Sequence, residues 1–155
     1  MMKLCCDVIN VLQGRTLVTA ESCTGGGIGA ALTAIAGASA VYKGGIISYT
    51  NEVKNSLLNV REDLLEQKGA VSAAVAEAMA EGARKQLNAD VAVSVTGLAG
   101  PGGDEFGNPV GTVYIGYADR FVTESRKYLF SGDRDAVRKS AICAALETVL
   151  SHVAV

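Results

Sequence analysis

Apolar residues recur along this chain with two alternating periods. Leu4, Val8, Ile9, Val11 and Leu12 fall at roughly helical spacing over residues 4–13, and the short run from Arg15 to Thr19 reads as a buried strand. Ile28, Ala31, Leu32 and Ile35 mark one face of a helix over Gly25–Ile35, followed by a strand over Gly44–Tyr49. A short helix is predicted over "NEVKNSLLN", then a turn at Lys68–Gly69. Ser72 is placed to cap a helix running to Leu87, where Val75, Met79 and Ala83 recur every four residues. "DVAVSVT", residues 90–96, alternates as a β-branched strand, and two further strands over 110–118 and 121–130 meet at a turn near Asp119–Arg120. Asp133 caps a last helix whose inner face runs through Val137, Ala141, Ala145 and Val149. About five strands and five helices, mostly alternating, with one late hairpin, predict an α/β fold built on a mixed sheet.

Composition narrows the class. The 155 residues fit a single domain spanning 1–155, and 49% hydrophobic against 19% charged residues describe a globular chain. A net charge of −2 argues against a dedicated nucleic-acid binder. Asp7 and Asn10 interrupt the N-terminal apolar residues, and no run is long enough to span a bilayer, so neither a signal peptide nor a membrane segment is expected. Cys5, Cys6, Cys23 and Cys143 show no CxxC or Cys/His ligand spacing. Reduced thiols point to the cytoplasm. No metal or cofactor is expected.

Ligands of open α/β sheets bind beyond the carboxyl ends of strands, and three unusual segments end strands here. The first is "ESCTGGG", residues 21–27. Two readings of Ser22 stay open: an N-cap, or a nucleophile at a helix N-terminus whose amides would hold an oxyanion while Gly25, Gly26 and Gly27 let a ligand approach. The second, "SYTNEVK", offers Tyr49 and Lys54. His152, the one histidine, lies on the terminal helix and is expected to face solvent, which leaves a lysine, tyrosine or carboxylate as base.

Lys54 shares a helix face with Leu57 and Leu58, so it either snorkels to the surface or sits partly desolvated. At an unperturbed value of ~10.4 only about one lysine in 2,500 is neutral at pH 7; at ~8 about 10% would be. The third segment is a loop of thirteen residues, "GLAGPGGDEFGNP", long enough to suggest binding. Arg134 and Arg138, one turn apart, either hold a phosphate or pair with Asp133 and Asp135.

Taken together, "TAESCTGG", "GGIISYTNEVKNSLLNV", "GAVS", "VSVTGLAGPGG", "PVGTVYIGYA" and "GDRDAVR" resemble, in order and spacing, the CinA C-terminal domain family. The resemblance covers about residues 5–152 and is closest to the stand-alone form, without the larger N-terminal domain of two-domain members. It implies a three-layer α/β/α sandwich with a mixed, mostly parallel five-stranded sheet. It also implies hydrolysis of nicotinamide mononucleotide to nicotinate mononucleotide and ammonia, with Ser22, Tyr49 and Lys54 at the family's catalytic positions. In that frame Glu21, Thr24, Gly25, Gly26, Thr96, Gly97, Gly100, Arg134 and Arg138 are the expected substrate contacts. The partners implied are a small nucleotide and, given the small sandwich, a second copy of the chain. The alternative is a non-catalytic nucleotide-binding or regulatory module of the CinA type.

Overall fold

The two strands at the centre of the sheet are almost wholly buried, and they organise everything else. The computed structural model describes residues 1–153. Strand β1 (Leu17–Glu21) is buried throughout, and β3 (Val91–Gly97) is buried except at its last residue. Both are rich in residues that suit a pleated surface covered on two faces. They pair in parallel at the centre of a five-stranded sheet. β2 (Tyr42–Ile47) pairs in parallel on the far side of β1, whereas β4 (Thr112–Ala118) and β5 (Thr123–Leu129) continue from β3 by antiparallel pairing. The order is β2-β1-β3-β4-β5. The sheet is mostly parallel by direction, because only β4 runs against the rest, but its pairings divide evenly between parallel and antiparallel.

The two faces take different side chains. Leu17, Val91, Val93, Val95 and Ile115 point to one core, which α1 (Met2–Val11), α2 (Gly27–Thr33) and α6 (Arg134–Val153) cover. Val18, Ala20, Ala92 and Ala118 point to the other, under α5 (Ala73–Gln86), which in turn packs on α3 (Asn51–Leu58) and α4 (Glu62–Lys68). The alternation follows from the two-residue period of a strand. The α5 side is built from small residues, so that helix lies close to the sheet. Gly82 on α5 serves the same purpose toward α3: a Cβ there would stand 2.0 Å from the Leu58 carbonyl oxygen. Close α3–α5 packing holds the segment that carries Lys54.

Differences from the sequence expectation are local. Ser72 and Asp133 cap α5 and α6 as expected, through Val75 N–H and Ala136 N–H. β1 lies two residues later than predicted, which puts Glu21 at its end. α2 starts at Gly27, because Gly25 and Gly26 adopt left-handed backbone at φ +58° and +97°. α4 has no counterpart among the predicted elements. It is seven residues long, buries only Leu65, and has no side-chain cap, so it carries little local signal. Among the described residues no helix is long and apolar enough to cross a membrane.

Candidate active site

Beyond the end of β1 the chain makes a tight turn whose backbone is fixed on both sides. The Ser22 N–H donates to Val95 O at 3.0 Å, and Ser22 O accepts from Gly25 N–H at 3.0 Å. The three glycines serve the turn and its packing. Gly25 and Gly26 supply left-handed backbone, which costs other residues more. A Cβ on Gly27 would stand 2.6 Å from Ile142 of α6. None of the three lines the cavity beside Ser22.

Neither Ser22 nor Thr24 caps α2. Glu21, only 2% exposed, reaches past the turn instead: its Oε1 accepts from Thr24 Oγ1 (2.7 Å) and Ile28 N–H (2.9 Å), and its Oε2 from Gly29 N–H (3.1 Å). A buried carboxylate is tolerated there because free helix amides and the dipole's positive end satisfy it. The first-turn amides of α2 are therefore occupied, which corrects the expectation that they hold an oxyanion. The Cys23 N–H, directly after Ser22, donates to the backbone of no other described residue. Arg138 closes the turn from α6, donating from Nε to Cys23 O (3.0 Å) and from Nη2 to Thr24 O (3.2 Å). It pairs with neither Asp133 nor Asp135, the latter being bound to Lys139.

Lys54 approaches Ser22 from α3. Thr50 caps that helix through Val53 N–H, and the helix buries Lys54 and Leu58 together. Lys54 is 1% exposed, and its Nζ donates to Ser48 O at 2.8 Å, Ser22 Oγ at 2.9 Å and Tyr49 O at 3.2 Å. No carboxylate pairs with it among the described residues. Burial without a counter-charge lowers its pKa from the usual lysine value to about 8. The Ser22 hydroxyl itself donates to Tyr49 O at 3.5 Å. The neighbouring Cys23 thiol is pushed up to about 11 by burial and is protonated at neutral pH.

Tyr49 reaches this pair through its main-chain carbonyl. The residue is 59% exposed, and its phenol accepts from Arg134 Nη2 at 3.3 Å. Arg134 also donates from Nη1 to Gly100 O at 2.7 Å. Both belong to a cavity of about 630 Å³, within the usual range for small-molecule sites, and Ser22, Lys54, Thr96, Gly97 and Gly100 line it too. Glu21, Thr24, Gly25, Gly26 and Arg138 do not. Thr96 uses its hydroxyl to hold Ala70 O at 2.7 Å, so it fixes the cavity wall formed by Gly69, Ala70 and Val71.

The side of the cavity from Gly69 to Val71 is not among the sites expected from sequence, whereas Asn51 and the loop residues Asp104–Phe106 lie in two of the segments singled out there, without having been named as contacts. These residues join the site only through long-range packing. His152 is half-buried rather than solvent-facing: its ring stacks on Tyr117 at 3.9 Å between centroids, and Nε2 lies 2.7 Å from Glu124. Those strand side chains cover the end of α6, away from the residues lining the Ser22 cavity. No group of three or more His, Cys, Asp or Glu residues arranged for a metal ion occurs among the described residues.

Residues 4–153 match the model of the CinA C-terminal domain family. A CinA-like protein of Synechococcus is 52% identical over 136 residues, which are 86% of this chain and 33% of that protein. The chain spans about a third of the length of such CinA-like relatives. Nicotinamide-nucleotide amidohydrolase PncC of Escherichia coli K12 is 49% identical over 138 residues, covering 88% of this chain and 84% of that protein. Among solved structures, the competence damage-inducible protein A of Klebsiella pneumoniae superposes with a TM-score of 0.95 at 37% identity, covering 99% of this chain and 96% of the other. The competence/damage inducible protein CihA of Agrobacterium tumefaciens gives 0.93 at 38% identity, with 97% and 93% covered.

Proposed function

The chain belongs to the CinA C-terminal domain family, and on that footing we propose that it is an amidohydrolase that deamidates nicotinamide mononucleotide to nicotinate mononucleotide and ammonia. The observation that carries the proposal is the buried Lys54 amine, 2.9 Å from Ser22 Oγ and without a counter-ion. Similarity to PncC of Escherichia coli supports the substrate.

Neutral Lys54 takes the Ser22 proton as the hydroxyl oxygen attacks the carboxamide carbon. The carbonyl oxygen becomes an oxyanion, which the Cys23 N–H stabilises. The Lys54 ammonium then returns its proton to the amide nitrogen, the C–N bond breaks, and ammonia leaves an ester on Ser22. Water, deprotonated by neutral Lys54, attacks that ester and restores the serine. The carbonyls of Ser48 and Tyr49 hold Nζ in place at each stage. Tyr49 contributes this carbonyl and, through its phenol, the orientation of Arg134, which meets the phosphate. Arg138 and Glu21 keep the Ser22 turn in shape without touching substrate.

Incubation of the protein with nicotinamide mononucleotide tests the proposal directly. Ammonia and nicotinate mononucleotide are expected in equal amounts. Binding of the nucleotide without ammonia release would instead identify a non-catalytic module.

A further inference from the structure

Phe106 is a large aromatic side chain, 42% exposed, on the side of the cavity formed by residues 69–71. Its ring lies on Gly69, where a Cβ would stand 2.6 Å from Cδ2. Gly69 has φ +78°, so glycine suits both the backbone and the ring above it. The surrounding loop is tied to itself. Asp104 Oδ1 accepts from Phe106 N–H (3.1 Å) and Asn108 N–H (2.9 Å), while Oδ2 accepts from Asn108 Nδ2 (2.7 Å). Asn108 Nδ2 also donates to Val71 O (3.2 Å), which fixes the loop to the same wall. These bonds occupy Asp104. Glu105, also lining the cavity, has neither a hydrogen bond nor an ion pair from any described residue. One stretch of the loop therefore offers the cavity an aromatic face and an uncommitted carboxylate, while its Gly100 end meets Arg134.

That distribution suits a zwitterion. In nicotinamide mononucleotide the pyridine nitrogen carries a permanent positive charge two bonds from the carbon that bears the amide, and the phosphate is anionic. Resting on the deamidase function above, we propose that Glu105 and Phe106 are binding residues that select the cationic pyridinium ring over a neutral ring of the same shape. An aromatic face attracts a quaternary nitrogen through its quadrupole, and a carboxylate beside it adds a charge contact. The reduced, dihydropyridine form of the mononucleotide keeps the ribose, phosphate and carboxamide but loses the ring charge. The site discriminates between these two forms.

Calorimetric titration of a Ser22→Ala protein, whose turnover is expected to be greatly slowed, reads the affinity for each form. The oxidised nucleotide is expected to bind roughly tenfold more tightly than the reduced one, the scale of a cation–π contact plus a partly screened ion contact. Adding Glu105→Gln with Phe106→Leu should bring the ratio below about threefold. Glu105→Gln alone, which leaves the packing on Gly69 intact, should lower it part of the way. Equal affinity for the two forms in the Ser22→Ala protein overturns the inference, as does a tenfold ratio that survives both loop substitutions. Ammonia release by the parent enzyme together with equal affinities overturns this inference alone. No binding of either form, with no ammonia release, overturns the deamidase function along with it.

Discussion

Lys54→Met is expected to lower kcat on nicotinamide mononucleotide by on the order of 10²–10⁴-fold, the usual contribution of a positioned base. Methionine matches the buried stem in length but cannot take a proton. Lys54→Arg should be no better, because a guanidinium stays charged. The same substitution to methionine has a signature in stability. The folded-state pKa of Lys54 is lowered from 10.5 to about 8, so the unfolded chain holds this proton more tightly. The penalty is therefore fully present below about pH 8 and is relieved as pH rises toward 10.5. Between pH 7 and pH 10 the parent should gain roughly 2–3 kcal/mol relative to the Lys54→Met protein, since a pKa difference of one corresponds to about 1.36 kcal/mol. Denaturant melts of both proteins at the two pH values measure that difference. Carbonyls of Ser48 and Tyr49 left without a donor destabilise the variant by about the same amount at both pH values, so the change with pH is what reports the lysine.

Ser22→Ala is expected to lower kcat by about 10³-fold or more, the scale seen when a serine nucleophile is removed, while substrate affinity is kept. Lys54 loses one of three acceptors and retains two carbonyls, so stability should change by no more than about 1 kcal/mol. Cys23 cannot replace the hydroxyl, since burial pushes its thiol up to about 11. Steady-state ammonia release and calorimetric binding on the same preparation separate the two effects. Near-parental turnover by the alanine protein would remove Ser22 from the chemistry.

Much of the framework is written in short-range pattern. Apolar runs, two-residue and four-residue periods and turn residues locate the five strands and five of the six α-helices among the described residues, because each element buries one face or two against a neighbour. The partnership of Ser22 and Lys54 is visible in the same way: a hydroxyl after one strand, and a lysine on an apolar helix face after the next. What escapes local pattern depends on distant partners. Arg138 bonds to Cys23 O across 115 residues, so spacing from Asp133 and Asp135 points it toward the wrong company. Glu21 reaches seven and eight residues ahead to take amides that local sequence assigns to a nearer serine or threonine. The glycine run is dense for two separate reasons, turn conformation and contact with Ile142, only the first of which is local. Tyr49 acts at the lysine through its main chain, a role that no side-chain motif announces.

The pH dependence of kcat/KM between about pH 6.5 and 9.5 probes the unpaired lysine in the free enzyme most directly. A base that must lose its proton, with a pKa lowered to about 8, gives a rate that climbs about tenfold for each step of one in pH at the acid end and levels off above that value. A profile that stays flat across this range, or falls through it, would contradict deprotonation of Ser22 by Lys54.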